Sequence, residues 1–375
     1  MNSKEKNIQM VDLYGQYFKI KDEVNEAIQE VMDSSAFIKG PAVKNFETKL
    51  AEFCSVEHVV SCGNGTDALQ IAMMALDFKA GDEVILPVHT YVATAEVIVL
   101  LGLKPVFVDV DPHTFNIDTT QIESKITDKT VAIVPVHLYG QCADMEALLK
   151  ISKKYELKVI EDTAQALGAL YTFSDGTVKQ AGTMGDIGTT SFFPSKNLGC
   201  FGDGGALMIN DASLTEKSRM IANHGQQKKY HHDVIGVNSR LDTMQAAILN
   251  VKLKYLNDYT LKRQQAASYY NEKLSEVEFL NTPYVASNST HVYHQYTLTT
   301  EGIDRDEFKK YLADHGIPSM IYYPVPLHHQ KAYKHLSSES FSVAEALSKT
   351  VISLPIHTEM DHEIQDIIID KIKSF

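Results

Sequence analysis

Positive charge is scarce in this 375-residue chain: 35 lysines and arginines stand against 48 aspartates and glutamates, a formal net charge of −13. A nucleic-acid binder leaves the opposite footprint, a basic surface, so the charge argues against that class. An anionic substrate would need a local cluster of donors set against the overall field. Cysteine is equally sparse. Cys54, Cys62, Cys142 and Cys200 are scattered with no C-x-x-C pair, which is neither a disulfide framework nor a zinc site and implies a reducing compartment. Long apolar runs are missing too. Stretches such as 97–101 fall far short of the roughly 20 residues a membrane span requires. The first ten residues are polar and lysine-bearing, without the apolar core of a signal peptide. The expectation is a cytoplasmic protein that engages neither membrane nor nucleic acid.

What is present is ordinary for a globular chain, with 44% apolar and 22% charged residues and length for about two domains. Helical spacing over 20–32, with Val24, Ile28 and Val31 on one side, ends at Gly40-Pro41, and a second helix follows over 43–53. Short β-branched runs then predict strands at 59–61, 83–87, 105–109, 131–136, 158–161, 188–192 and 206–209. Helical patterns at 67–76, 90–101, 119–124 and 144–155 separate the first five. That alternation predicts an α/β fold with a largely parallel sheet between helices. The last two strands are joined by a Gly-rich loop rather than a helix, so the sheet is expected to be mixed at that end. Residues 237–282 contain neither Gly nor Pro and read as one long helix or two end to end, leading out of the first domain. A smaller α+β unit follows, with strands near 296–300, 319–322 and 351–354 and helices from Asp304-x-x-Glu307 to Gly316 and over 363–372. The division expected is 1–250 for the large domain and 251–375 for the small one.

Ligands of open sheets sit at the carboxyl ends of the strands, and chemistry-bearing residues follow several of them. After the first strand, Gly63-Asn64-Gly65-Thr66-Asp67-Ala68 opens a helix. Such an N-terminus binds phosphate, and the spacing also fits the dinucleotide fingerprint. The second strand, however, ends Pro87-Val88-His89-Thr90, without the acid a dinucleotide ribose needs. Tyr91 comes next, either an ordinary half-buried tyrosine or a flat face for a planar ring. The fifth strand runs into Glu161-Asp162-Thr163-Ala164-Gln165. Asp162 is either a helix cap or the partner of a pyridine nitrogen, and Gln165 lies one helical turn further on. The sixth ends Ser191-Phe192-Phe193-Pro194-Ser195-Lys196. Pro194 breaks the ladder, so Lys196 arrives at the edge of the core, where partial desolvation lowers its pKa and favours a nucleophilic amine. An amine, a phosphate cup, a stacking face and an acid for a ring nitrogen are what a pyridoxal phosphate enzyme requires. The histidine pairs His231-His232 and His328-His329 invite a metal reading. Adjacent residues share no helix or strand face, so no metal is expected.

The segments 63–69, 161–165 and 191–196 together resemble the DegT/DnrJ/EryC1/StrS family, pyridoxal-phosphate-dependent nucleotide-sugar aminotransferases of fold type I. The resemblance implies that Lys196 forms the cofactor's Schiff base, Asp162 faces the pyridine nitrogen and Gln165 the phenolic oxygen. It further implies that Tyr91 stacks on the ring and that Gly65, Thr66 and Ser191 hold the phosphate. It implies a homodimer in which Asn238 crosses to the other subunit's phosphate, although Asn238 also suits a helix cap. The run Asn223-His224-Gly225-Gln226 through Asn238-Ser239-Arg240-Leu241-Asp242 is similar to the branch that aminates C3 of 3-keto sugars, closest to enzymes of UDP-2-acetamido-2-deoxy-3-keto-glucuronate. Arg240 is then the bidentate partner of a sugar carboxylate, or else a neighbour of Asp242, and Tyr323 and His232 are further substrate contacts. Tyr322 stands where a histidine is expected. L-Glutamate is the implied amino donor. Two other classes remain in view: a nucleotide-dependent oxidoreductase, and a protein of this fold that regulates without turnover.

Overall fold

The computed structural model describes residues 8–375; most of the polar N-terminal stretch, residues 1–7, lies outside the described residues. Helix α1 (Leu13–Ser34) starts where the Asp12 carboxylate accepts the Gly15 N–H at 2.7 Å, and α2 (Pro41–Cys54) starts on a proline whose missing N–H costs nothing there. Strand β1 (His58–Cys62) leads into α3 (Gly65–Ala75), and the chain then alternates β2 (Glu83–Pro87), α4 (Ala93–Leu100), β3 (Lys104–Val108), α5 (Thr119–Ile122), β4 (Thr130–Ile133), α6 (Met145–Tyr155) and β5 (Lys158–Asp162). A hairpin of β6 (Leu170–Thr172) and β7 (Val178–Gln180) precedes β8 (Ile187–Ser191) and β9 (Gly205–Ile209).

The central sheet has seven strands in the order β1-β9-β8-β5-β4-β2-β3. Strands β3, β2, β4, β5 and β8 are parallel, while β9 runs antiparallel to both β8 and β1. The mixed end expected from the Gly-rich loop is present, and β1 joins it there. Both faces are buried. Val84 and Leu86 of β2 enter one apolar cluster with α3 and α4, whereas Ile85 enters the other with α6, the period-2 alternation of a strand covered on each side. Among the described residues no helix is long and apolar enough to cross a membrane.

Beyond the sheet come α7 (Ala212–Ile221) and a small hairpin of β10 (Gln226–Lys228) and β11 (His231–His232). The Gly- and Pro-free stretch forms two helices, α8 (Thr243–Leu253) and α9 (Leu256–Leu274). Its first residues stay out of the helix because Asn238 bridges Asn223 and the Ser239 hydroxyl accepts the Gly63 N–H at 2.9 Å. Strands β12 (Leu280–Asn281), β13 (Tyr296–Thr300) and β14 (Val351–Leu354) form an antiparallel sheet. They pack with α9, α10 (Arg305–Asp314) and α12 (His362–Lys373), burying Tyr270, Tyr296, Phe308 and Ile368; α11 (Ser342–Thr350) leads directly into β14. The strand predicted at 319–322 is absent. Only Met320 pairs, bridging to Ser353, because the following residues turn towards the large sheet.

One buried carboxylate fixes the carboxyl edge of that sheet. Glu161 accepts the Gly182, Met184 and Gly185 N–H groups at 2.8, 2.6 and 2.6 Å and meets His137 Nε2 at 2.9 Å. His137 Nδ1 accepts the Ala143 N–H, so Nε2 carries the proton and donates. Glu161 thereby clamps the turn that feeds β8 against the end of β5. Removing one member of a fully buried network leaves the others unpaired. Glu161→Gln is therefore expected to lower unfolding free energy by about 3–5 kcal/mol, measured by urea denaturation; a loss below about 1 kcal/mol would contradict this account.

Candidate active site

Two adjacent strands carry the reactive groups. Asp162 ends β5, in register with Thr189 of β8, and its backbone is pinned through its N–H to the Pro135 carbonyl and its carbonyl to the His137 N–H. The side chain points away from that of Glu161. Its Oδ2 accepts from the Thr94 hydroxyl at 3.0 Å and its Oδ1 from the Ala164 N–H at 3.1 Å. Asp162 is thus oriented by a turn and a hydroxyl and is not a helix cap, since no helix follows β5.

Past β8 the chain turns at Pro194, and the Lys196 N–H closes the turn on the Phe193 carbonyl at 2.8 Å. Burial brings the Lys196 ammonium down to about 8, with Asp162 opposing the shift. About a tenth of the amine is then neutral at pH 7, against about one part in 3,000 for a free lysine. Gln165 is held at both ends of its amide: Oε1 accepts the Tyr139 N–H at 2.7 Å, and Nε2 donates to the Tyr323 hydroxyl at 3.1 Å. Tyr91 lies 6.1 Å from Tyr323 between ring centres and remains 58% exposed, so one face is free. Lys196, Asp162, Gln165, Tyr91 and Tyr323 converge at one sheet edge.

The phosphate-binding candidates form a second group beside the first. The Asn64 side chain caps α3 through the Asp67 N–H at 2.8 Å, which leaves the Gly65 and Thr66 N–H groups without an intrahelical acceptor. The helix start abuts the end of β8 so closely that a Cβ at Gly65 would stand 2.7 Å from the Ser191 Cβ. A Cβ at Gly205 would stand 2.4 Å from the Asn64 backbone, so glycine at the start of β9 permits the approach.

Among the described residues no hydrogen bond joins Asn238, Arg240 or His232 to Lys196, Asp162 or Gln165, although Ser239, between the first two, bonds Gly63 and Asp67 at the start of α3. His232 is exposed on β11, its Nδ1 2.7 Å from the His224 carbonyl. Asn238 is no helix cap, because α8 begins at Thr243. The Arg240 guanidinium bonds the Asn238 side chain and not Asp242, and among the described residues it makes no ion pair. Arg240 lines a cleft of about 850 Å³ with Lys39, Glu47 and Arg219. Burial, then Arg240 and Arg219, hold the Lys39 ammonium below its usual pKa.

Several site residues escaped the sequence reading. Thr94 stands three residues after Tyr91 in the first turn of α4, a position open to inspection once Tyr91 was singled out. Tyr139 has no such signal; its hydroxyl donates to the Tyr322 carbonyl and lies 3.2 Å from His89 Nε2, so it ties the C-terminal unit to the large sheet. His294 is buried near Lys196, its Nδ1 without a partner and its protonation opposed by burial and by that lysine. The histidine pairs need one correction. His328 and His329 lie in a tight 3-10 turn, not a helix or strand, and their rings stand 3.9 Å apart, so sequence neighbours do converge there.

A model of the DegT/DnrJ/EryC1/StrS aminotransferase family matches residues 18–373. The chain belongs to this family. A "Pleiotropic regulatory protein" of Geobacillus stearothermophilus is 46% identical over 373 residues, covering 98% of each chain. A UDP-2-acetamido-2-deoxy-3-oxo-D-glucuronate aminotransferase of Pseudomonas aeruginosa is 45% identical over 354 residues, covering 94% of this chain and 96% of that one. The crystal structure of S. venezuelae DesV in complex with a ketimine intermediate superposes with a TM-score of 0.94 at 37% identity, covering 98% of each. This family member is a pyridoxal-phosphate-dependent sugar aminotransferase of fold type I. The donor set suits that cofactor: a desolvated amine, a buried carboxylate with one protein donor on each oxygen, and free N–H groups at a helix start beside a serine.

Two outcomes follow for the aminotransferase. Stripped of cofactor, it should take up pyridoxal phosphate at a rate that rises about tenfold per pH unit and levels near pH 8, followed by the growth of visible absorbance. A rate still climbing at pH 10 would mean an unperturbed amine. Thr94→Val should keep the cofactor yet lower kcat by about tenfold or more, the value of a hydrogen bond to a charged group; unchanged turnover would show that the hydroxyl does not orient Asp162.

Proposed function

We propose that this enzyme transfers an amino group from L-glutamate to C3 of UDP-2-acetamido-2-deoxy-3-keto-glucuronate, in the cytoplasm, for surface polysaccharide or lipopolysaccharide synthesis. Bound pyridoxal phosphate supplies the carbonyl that takes up the amino group and the electron sink for the pair released from the donor's α-carbon. The protein supplies the rest. Lys196 would be the covalent anchor, and its freed amine, neutral in part at pH 7, would take up the proton from the donor's α-carbon and hold it for the return half-reaction. Asp162 would hold a positive ring nitrogen in place, Gln165 would face the phenolic oxygen, and Tyr91 would offer its free face to the ring. The Gly65 and Thr66 N–H groups and the Ser191 hydroxyl receive the phosphate.

The observation that carries the substrate reading is Arg240. It has no ion-pair partner among the described residues and stands with Lys39 and Arg219, crowded enough that one cation depresses another. In a chain of net charge −13, a cluster of three cations with one carboxylate in contact, Glu47 on Arg219, keeps a local positive excess that suits an anionic ligand group. Together with the 45% identity to the Pseudomonas aeruginosa enzyme, it favours a sugar that carries a carboxylate. Asn238 and Arg240 lie apart from Lys196, and this reading places them at the site of a second copy in a homodimer. Residues 1–250 then carry the cofactor, with Tyr323 and His232 as further sugar contacts, and residues 251–375 form the smaller domain. The regulatory reading without turnover is not favoured, because the chain keeps Lys196 and Asp162.

A panel of keto sugars generated in situ, assayed for amine transfer from glutamate, tests this. The glucuronate is expected to be the preferred acceptor. Arg240→Gln should lower its kcat/KM by roughly 10–100-fold, the value of a charge-assisted pair, and leave an uncharged 3-keto sugar nearly unaffected. Equal turnover of both sugars by the unaltered enzyme would refute the substrate assignment.

A further inference from the structure

Away from the cofactor residues, one cluster of ligating side chains has no role in the reaction. His328 is buried, and its Nε2 stands 3.1 Å from Glu345 Oε1; His329 Nε2 stands 4.0 Å from the same oxygen. One ligand atom from each of the three residues lies within 4.8 Å of the others. We propose that His328, His329 and Glu345 form a site for a divalent first-row transition metal such as zinc.

Two imidazoles and a carboxylate are a zinc ligand set that leaves a fourth position for water, and imidazole donors select against calcium and magnesium. Ligand atoms about 2.1 Å from zinc in a tetrahedron are about 3.4 Å apart, so the cluster, up to 4.8 Å across, has to close by up to about 1.4 Å. The freedom to do so is present, since the His329 side chain is 55% exposed. Glu345 is already oriented by the Phe341 N–H at 3.1 Å and the Ser340 hydroxyl at 2.9 Å, both on Oε1, so Oε2 is the oxygen left to ligate while Oε1 keeps its outer-shell bonds.

The cluster lies at the start of α11, whose dipole opposes a cation, but Asp109 caps that turn by accepting the Val343 and Ala344 N–H groups at 2.9 Å each. One feature limits affinity. His328 Nδ1 has no partner, and a metal on Nε2 would put the proton there without an acceptor, a deficiency worth about 10–100-fold. Bound metal would fasten the turn at 327–329 to α11, and the Leu327 N–H already bonds the Val88 carbonyl at the mouth of the active site.

The test uses the full-length, cofactor-loaded enzyme, treated with EDTA, dialysed and titrated with zinc chloride by calorimetry, alongside His329→Leu and Glu345→Gln. The expected result is one equivalent bound with a Kd of about 100 µM or tighter, weakened at least tenfold in His329→Leu. Cobalt(II) should give the visible bands of a four-coordinate ion in the unaltered protein and not in that variant. Glu345→Gln also removes a contact at the start of α11, so the exposed His329 decides the question if that variant misfolds. A Kd weaker than about 100 µM in the unaltered enzyme, or equal binding by His329→Leu, overturns the site.

Discussion

An amine and a carboxylate held at the ends of neighbouring parallel strands, at the edge of the core, set the terms for the rest of this molecule. Lys196 is driven towards its neutral form by burial and back towards its charged form by Asp162. The balance near 8 gives a group that can both carry a proton and attack a carbonyl near neutral pH. That balance depends on how near the two groups are held, because charge interactions in a desolvated site strengthen as the distance shortens. The surrounding structure therefore has to be rigid where these two residues emerge. Glu161, directly before Asp162, supplies the rigidity: alternate residues of a strand point to opposite sides, so one carboxylate clamps the β8 turn while the next faces the site.

The reversed strand β9 has a comparable role. A sixth parallel neighbour would require a crossover of a dozen or more residues. The antiparallel return lets the chain pass Lys196 through a short Gly-rich loop and come straight back beside β1. Cys62, Gly205 and Ser191 are then aligned across three strands, which brings the α3 N-terminus against Ser191. One helix start and one strand end thus bring backbone N–H groups and the Ser191 hydroxyl together, the arrangement proposed to receive the phosphate. The C-terminal unit reaches the same edge through Tyr139, whose hydroxyl holds the Tyr322 carbonyl while its N–H holds Gln165.

Much of this was legible in the sequence for a specific reason. In a parallel sheet the ligand-facing positions come just after β-branched runs, so the candidates Gly65, Tyr91, Asp162, Ser191 and Lys196 could be picked by counting from strand ends. What the sequence hid is held by long-range geometry. Tyr139 and His294 meet the site through contacts that no periodicity encodes, and both sit next to irregular backbone. The hairpins of β6–β7 and β10–β11 are short and largely exposed, so they lack the apolar alternation that marks a strand. At 319–322 the apolar run has the composition of a strand, yet it is used to carry Tyr322 and Tyr323 across to the large sheet. The geometry of the pair His328-His329 was missed for a related reason. The argument that neighbours diverge holds for regular helices and strands, and a 3-10 turn is neither.

The overall charge leaves a last question, since a chain of net charge −13 has to hold the phosphate of its own cofactor. Distance resolves it. At physiological ionic strength the field of a surface carboxylate fades over about 8 Å, so acids scattered on the exterior have little influence on a cup lined by backbone N–H groups. Those N–H groups act at hydrogen-bond range and lie partly out of solvent, where screening is weakest. The same reasoning separates the Lys39, Arg219 and Arg240 cluster from the remainder of the surface: what matters for an incoming anion is which carboxylates stand within the screening length. Among these three cations only Arg219 has one in contact, Glu47 at 2.9 Å. Net charge therefore argues against a polyanion spread over the surface and leaves small anions to the local donors.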